Sequence, residues 1–482
     1  MDKPKYRTLW TWDYATYWDN SSFARGKGST GLSVRRDAFL EDYKRMVDYS
    51  AKHHFNGIVI WGAVRAHQDG FAQLKELVKY GREKGVRILP GVSAFSYGGV
   101  CYDPRTQYSS GGDYPMPSHP YSMNTWLQKH PEYLAVQADG TPYEFGPLSA
   151  VACPSRRETM EWFKEGLNWL YEEFDVDGIQ VEVGDYAVCH CPLCQERRKN
   201  AKVDQYFCVS DMVETYTDAL KVSYAAKPDA WVICESYCSA ASPNLPESVG
   251  WRPMDQDDRE ILSCLPEKAI MQWGVDKAVG GYAKHVWPEK VYTPTKENIL
   301  RIHAGSQHSQ YGPADWGANL VWEMVKTART HDLNGVSVFG EESPFCPANE
   351  ANYLAMEEAA GFGNPNPDCD EELFYRQTLD PLYGGADMAK RWRQLYLKGR
   401  MLQMGENLTK ESDRSQPIEL LTDDPDFRQK AITMSNYDKV KELEKYHAEA
   451  RAISSKLSGE ACGRWDWLLN NLWNQRYLIR TK

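Results

Sequence analysis

The stretch TMEWFKEGLNWLYEEFDVDGIQVEV, Thr159–Val183, decides the fold. Trp162, Leu167 and Leu170 supply apolar positions at helical spacing through Thr159–Phe174, Asp175 interrupts the pattern, and a short apolar run, Gly178–Val183, follows. A helix leading into a buried strand is one step of a βα repeat, and the same step recurs along the chain. Eight runs have the strand character: Tyr6–Asp13, Gly57–Gly62, Arg87–Phe95, Gly178–Val183, Ala230–Glu235, Ala269–Trp273, Ile299–Ala304 and Gly335–Phe339. Between the first two, Phe39, Tyr43, Met46, Val47 and Ser50 share a helical face, and Phe71–Lys84 and Met212–Ala226 read the same way, with Gly85 as a stop before the third strand. Alternation of this kind predicts an α/β protein, a (β/α)8 TIM barrel.

Two features depart from a plain barrel. After Phe95 roughly sixty residues rich in Gly, Pro, Tyr and Ser pass before the next clear helix, far longer than a normal βα loop, and they contain His119 and His130. Past Phe345 the pattern is helical only, with amphipathic stretches at Ala386–Leu402, Tyr437–Leu457 and Trp465–Tyr477. At 482 residues the chain exceeds one ordinary core, and the Gly361–Pro367 segment resists both helix and strand. The expected division is a catalytic barrel over 1–365 and a helical C-terminal domain over 366–482.

A net charge of −11 and a pI near 5.6 argue against a nucleic-acid partner, which needs clustered Lys and Arg. No segment has enough consecutive apolar residues to span a bilayer, and Met1–Lys5 opens no signal-like run, so the expectation is a cytoplasmic chain with no membrane partner, an export signal removed beforehand being the alternative. The aromatic content, 17 Trp and 29 Tyr, suits a site that stacks sugar faces, suits large cores equally, and would permit a homodimer. Tyr97-Gly98-Gly99 and Gly280-Gly281 match neither a phosphate loop nor a dinucleotide fingerprint, and there is no Gly-x-Ser-x-Gly elbow, so no cofactor is expected and a serine hydrolase is disfavoured.

In such a barrel the residues closing the strands face the reactive end. Here they include Asp13, Glu182, Asp185, Glu235, His303, Glu341 and Glu342. Acidic residues at strand ends also cap helices or pair with Arg, so their clustering says more than any one of them. Glycoside hydrolysis uses two carboxyl groups, one protonating the departing oxygen and one acting at the anomeric carbon. Glu182 and Glu235 are the ordinary pair, because strands four and five are neighbours; a second arrangement uses Asp13 with His130. Cys153, Cys189, Cys191 and Cys194 could hold a structural zinc through four thiolates, or through three with the His190 imidazole. A disulfide with free thiols, or plain packing, competes with that, and no metal is assigned to the reaction.

Leu9-Trp10-Thr11-Trp12-Asp13 at the end of the first strand, with His130 in the Trp126–Leu134 segment of a long third loop, resembles the inverting exo-sialidases of glycoside hydrolase family 156. The resemblance covers the barrel, about residues 1–360, and implies a sialoside substrate, Asp13 as base and His130 as acid of a single displacement. It further implies Arg198, or equally Arg197, on the substrate carboxylate, and Asn349 as a hydrogen-bonding residue. An imidazolium suits a sialoside because the substrate's own carboxylate repels a second one and favours the charged ring. The helical tail and the Cys-x-Cys-x-x-Cys run also look like those of barrel glycosidases that use two carboxylates. This keeps open an exo-glycosidase acting on uronic or amino sugars through Glu182 and Glu235. A carbohydrate-binding barrel without catalysis is the third reading.

Overall fold

Eight parallel strands close into a barrel in chain order, β8 pairing back onto β1, in a computed structural model. It describes residues 3–12, 39–66, 69–96, 98–103, 118–143, 151–183, 188–199, 201, 203, 208–239, 256–274, 293–303, 317–339, 344, 346–363, 369–405, 424 and 426–480. The strands are β1 (Tyr6–Trp12), β2 (Gly57–Trp61), β3 (Arg87–Ser93), β4 (Gly178–Glu182), β5 (Trp231–Ser239), β6 (Ile270–Gly274), β7 (Glu297–His303) and β8 (Gly335–Phe339). Each of the eight apolar runs is therefore a strand. Strands β2, β4 and β6 are buried at every position, as expected of parallel strands covered on both faces.

Register decides which side chains meet the barrel axis. Trp10 stands beside Val59, Trp61 beside Gly91, Gln180 beside Ile233, and Gln272 beside Ile299. One side-chain set, Tyr6, Trp10, Val59, Trp61, Leu89, Ile233, Ile270 and Ile299, forms an apolar cluster of its own, separate from the core outside the strands. At the N-terminal end Tyr6 meets Trp231 edge to face at 4.8 Å. Above it lie Val59, Leu89, Ile233, Ile270 and Ile299; above these the interior turns polar. An apolar plug below and a polar layer on top place any chemistry at the C-terminal ends of the strands.

The helices are α1 (Phe39–Lys52), α2 (Gly70–Glu83), α3 (Met123–Lys129), α4 (Arg157–Phe174), α5 (Pro192–Arg198), α6 (Val209–Ala226), α7 (Gln256–Leu262), α8 (Ala318–Thr330) and α9 (Pro347–Ala359). The expected inner face of α1 is buried, with Asp42 added. Gly85 (φ 75°) and Asp175 (φ 48°) end α2 and α4 in the left-handed conformation, as their positions suggested. The excursion after β3 carries its own short helix, α3, which the sequence pattern left inside a loop.

The C-terminal helices are α10 (Glu371–Phe374), α11 (Asp380–Leu382), α12 (Ala386–Met404), α13 (Phe427–Thr433), α14 (Asn436–Ser454) and α15 (Gly459–Arg480). They continue the core of the barrel's outer shell, because Trp392, Trp465 and Tyr383 belong to the same buried cluster as Leu9 and Val336. Arg464 of α15 clasps Glu350 of α9 at 2.6 and 2.8 Å, and the Trp465 indole donates to the Tyr383 carbonyl. Among the described residues no helix is long and apolar enough to cross a membrane.

A second clasp ties α9 to the turn before β2: Glu357 bonds Nδ1 of His53 at 2.7 Å and of His54 at 2.8 Å. Burial alone would raise the Glu357 carboxyl, but the two imidazole hydrogen bonds outweigh it and hold it below its ordinary value of 4.5. A carboxyl lowered in the folded state contributes stability above that value and loses it as pH falls. Glu357→Gln is expected to cost about 2 kcal/mol at neutral pH. In urea melts the gap to the parent should shrink between about pH 5 and pH 3; a constant gap over that range would show that the carboxylate charge is not involved.

Candidate active site

The polar layer at the top of the barrel is built around Glu235. Its Oε2 accepts from Gln272 Nε2 at 2.6 Å and from Gln180 Nε2 at 3.4 Å, and its Oε1 faces Arg301 Nη2 at 3.3 Å. All four side chains are buried. Gln180 is oriented in turn by two indoles: Trp10 Nε1 and Trp61 Nε1 donate to its Oε1 at 2.6 and 2.7 Å. With the amide oxygen occupied, the amide nitrogen is left to point at Glu235. Three donors converging on one carboxyl, one of them cationic, favour a carboxylate over a carboxylic acid. From α6, outside the strands, the Tyr216 hydroxyl donates to the Glu235 main-chain carbonyl, and complete burial raises that phenol well above its ordinary value, keeping it a donor.

Glu182 ends β4 in the same layer. It lies opposite Ser93 of β3, and continuing the β4–β5 register by one residue from Val181 and Cys234 sets it opposite Glu235. Strand backbones lie about 4.8 Å apart, so the register sets the two glutamates side by side on neighbouring strands. Glu182 is 3% exposed and Glu235 0%. Residues 13–38, 184–187, 240–255, 275–292, 304–316 and 340–343, which follow β1, β4, β5, β6, β7 and β8, lie outside the described residues.

The other expected site residues are distributed differently. Asp13, Asp185, Glu341 and Glu342 lie outside the described residues, as does the side chain of His303. His130 caps α3. Its ring packs on Tyr133 and Trp126 at 5.6 Å each, Trp126 stacks on Trp162 of α4, and the one described polar neighbour is Glu132 at 3.4 Å. The ring is 43% exposed, and these ring and polar partners of the imidazole all belong to its own loop. His119 is a packing residue against Trp169 at 4.6 Å, and burial lowers its pKa.

Arg198, expected to grip a substrate carboxylate, is engaged elsewhere. Its guanidinium is 3% exposed, donates to Asp211 through Nη2 at 2.5 Å and to the Cys189 carbonyl, and so braces the turn after β4. Arg197 shares Asp211 and donates to Ser155 at 2.8 Å. The sequence shows the two arginines but not the aspartate waiting in α6. Asn349 is fully buried at the start of α9, with neither amide atom hydrogen-bonded. A buried amide in that condition is rare in folded proteins, which leaves the expectation of a binding role in place.

Gln180, Gln272 and Arg301 escaped a sequence reading that weighed only the last residue of each strand. A signal was available: each is a polar residue with an apolar neighbour on either side inside a strand, at the parity that faces the axis. Among the described residues, Cys153, Cys189, Cys191 and Cys194 form the one group of His, Cys, Asp or Glu side chains close enough to share an ion.

No family model matches the sequence, and no curated protein matches it either. Solved structures align with it at low identity. An O-GlcNAc hydrolase mutant of Thermobaculum terrenum aligns with a TM-score of 0.45 and 12% identity over 91% of this chain and 79% of that one. A GH138 enzyme targeting pectin rhamnogalacturonan II aligns with a TM-score of 0.45 and 10% identity over 99% of this chain, which spans 57% of the enzyme. CpGH84B aligns with a TM-score of 0.47 and 11% identity over 98% of this chain and 67% of that one. The resemblance to family 156 rests on its sequence motif alone.

Proposed function

We propose that this chain is a glycoside hydrolase acting on a terminal sugar, with Glu235 as nucleophile and Glu182 as acid and base of a retaining double displacement. The observation that supports this reading is the matched register of two inward glutamates on neighbouring strands, at the polar end of the barrel. Retaining enzymes hold their carboxyl groups about 5–5.5 Å apart, inverting ones about 6.5–9.5 Å, and adjacent strands suit the shorter gap. Glu235, fixed by Gln180, Gln272 and Arg301, attacks the anomeric carbon while Glu182 gives its proton to the departing oxygen as the glycosidic C–O bond breaks. Glu182 then takes a proton from water, which displaces Glu235 and restores both groups. Arg301 is already paired with Glu235, so this layer suits a neutral or amino sugar better than an anionic one.

A panel of aryl glycosides, covering hexosides, N-acetylhexosaminides, uronides and a sialoside, tests the reading when the first-formed anomer is followed by proton NMR. Turnover with retention is expected. Sialic acid release with inversion would transfer the chemistry to Asp13 and His130. Calorimetric binding with no turnover anywhere would leave a carbohydrate-binding barrel.

A further inference from the structure

Four sulfur atoms from two separate loops converge beneath the excursion after β3. Cys153 precedes α4, while Cys189, Cys191 and Cys194 follow β4, and all four Sγ atoms lie within 4.8 Å of one another. All four residues are buried, packed with Ala135 and Val151. Cys153 Sγ is 3.5 Å from that of Cys191 and 3.6 Å from that of Cys194. These distances are far longer than a disulfide bond of about 2.05 Å. They match the edge of a tetrahedron of thiolates about 2.3 Å from a central zinc, which is about 3.8 Å.

We propose that Cys153, Cys189, Cys191 and Cys194 bind one structural zinc ion as a tetrathiolate centre, independently of the hydrolase reading. The surroundings fit such a centre. The Val136 N–H points at Cys189 Sγ at 3.3 Å and the Ser155 hydroxyl at Cys194 Sγ at 3.1 Å, the donors that thiolate sulfur accepts in metal sites. Four thiolates around a dication carry two net negative charges, and two guanidiniums stand beside them. Arg198 holds the Cys189 carbonyl, and Arg197 holds the same Ser155 hydroxyl that reaches Cys194. With Cys153 as the fourth corner, no imidazole from His190 is needed, and the short Cys-x-Cys step is accommodated because the remaining corner comes from a distant loop. Thiols that merely pack would not require their sulfur atoms to meet at one point. The centre joins Cys153, which precedes α4, to the 189–194 segment that leads into α5.

The test uses the full chain expressed with zinc in the medium and purified without chelators. Metal analysis should find one zinc per chain. Cobalt exchanged into the site should give thiolate charge-transfer bands and the d–d spectrum of a tetrahedral ion. Cys153→Ser and Cys191→Ser should lose the metal, whereas Cys264→Ser, at an exposed cysteine outside the cluster, should keep it. Should the ligand variants fail to fold, Ser155→Ala leaves all four ligands in place and should weaken zinc retention against a competing chelator by roughly tenfold. In denaturant with chelator and no reductant, all 12 cysteines should titrate as free thiols. A zinc-free protein from zinc-supplied cells, bound iron in zinc's place, or a thiol count lowered by disulfides would overturn the proposal.

Discussion

Glu182→Gln is expected to lower kcat/KM by about a thousandfold on an unactivated glycoside, the middle of the range for losing a general acid and base. The fold should be preserved, since the amide keeps the shape of the side chain. The loss should depend on the leaving group. A dinitrophenyl glycoside needs little protonation, so glycosylation of Glu235 should remain fast and the covalent intermediate should accumulate as a burst. Azide, which needs no base, should then restore turnover. Glu235→Gln should behave differently in both respects. It removes the nucleophile, so activity falls by about 10⁴ or more and azide does not rescue it through the same intermediate. It also removes the carboxylate that Arg301 Nη2 faces at 3.3 Å, and breaking a buried ion pair costs about 3–5 kcal/mol. Pairing it with Arg301→Met should recover much of that stability and none of the activity. Wild-type turnover by Glu182→Gln, alongside inactive Asp13→Ala and His130→Ala, would place the reaction at the other pair.

Strands were the most legible part of the chain because a barrel strand is buried on both faces, and runs such as Gly57–Trp61 and Gly335–Phe339 therefore carry little but apolar residues. Glu182 and Glu235 were legible for a related reason: strand order makes their positions neighbours before any coordinates are known. His130 shows the limit. Its Trp-x-x-x-His-Pro-Glu setting looks like a site loop, and in the fold Pro131 starts a helical turn while the ring packs on Tyr133 and Trp126. Where a long loop packs depends on contacts such as Trp126 on Trp162, which no local pattern encodes. The cysteines divide the same way: three are adjacent in sequence, and the fourth, Cys153, is brought to them only by packing.

Gly91→Ala is the smallest change expected to damage both the barrel and its site. An added Cβ would sit 2.4 Å from two atoms of the Trp61 ring and 2.5 Å from a third, well inside van der Waals contact. Trp61 has nowhere to retreat: it is 0% exposed, stacked with Trp10 at 6.1 Å, and bonded to Gln180. Overpacking of this kind costs about 1–3 kcal/mol, and pulling the buried indole away from the Gln180 oxygen adds about 1–3 kcal/mol. A loss of roughly 4 kcal/mol in urea unfolding is therefore expected. The effect should reach the chemistry, because a Gln180 amide freed from one of its two indoles no longer holds its nitrogen toward Glu235; a tenfold fall in kcat, about 1.4 kcal/mol, is expected. Gly85→Ala is the control, since its added methyl meets no neighbour and costs only the backbone strain of a positive φ, about 1 kcal/mol. Trp61→Phe placed on Gly91→Ala should restore part of the stability while leaving Gln180 short of a donor, so stability and kcat should separate. If Gly91→Ala proves as stable as the parent, the stacking of Trp61 over β3 is wrong, and with it the orientation assigned to Gln180.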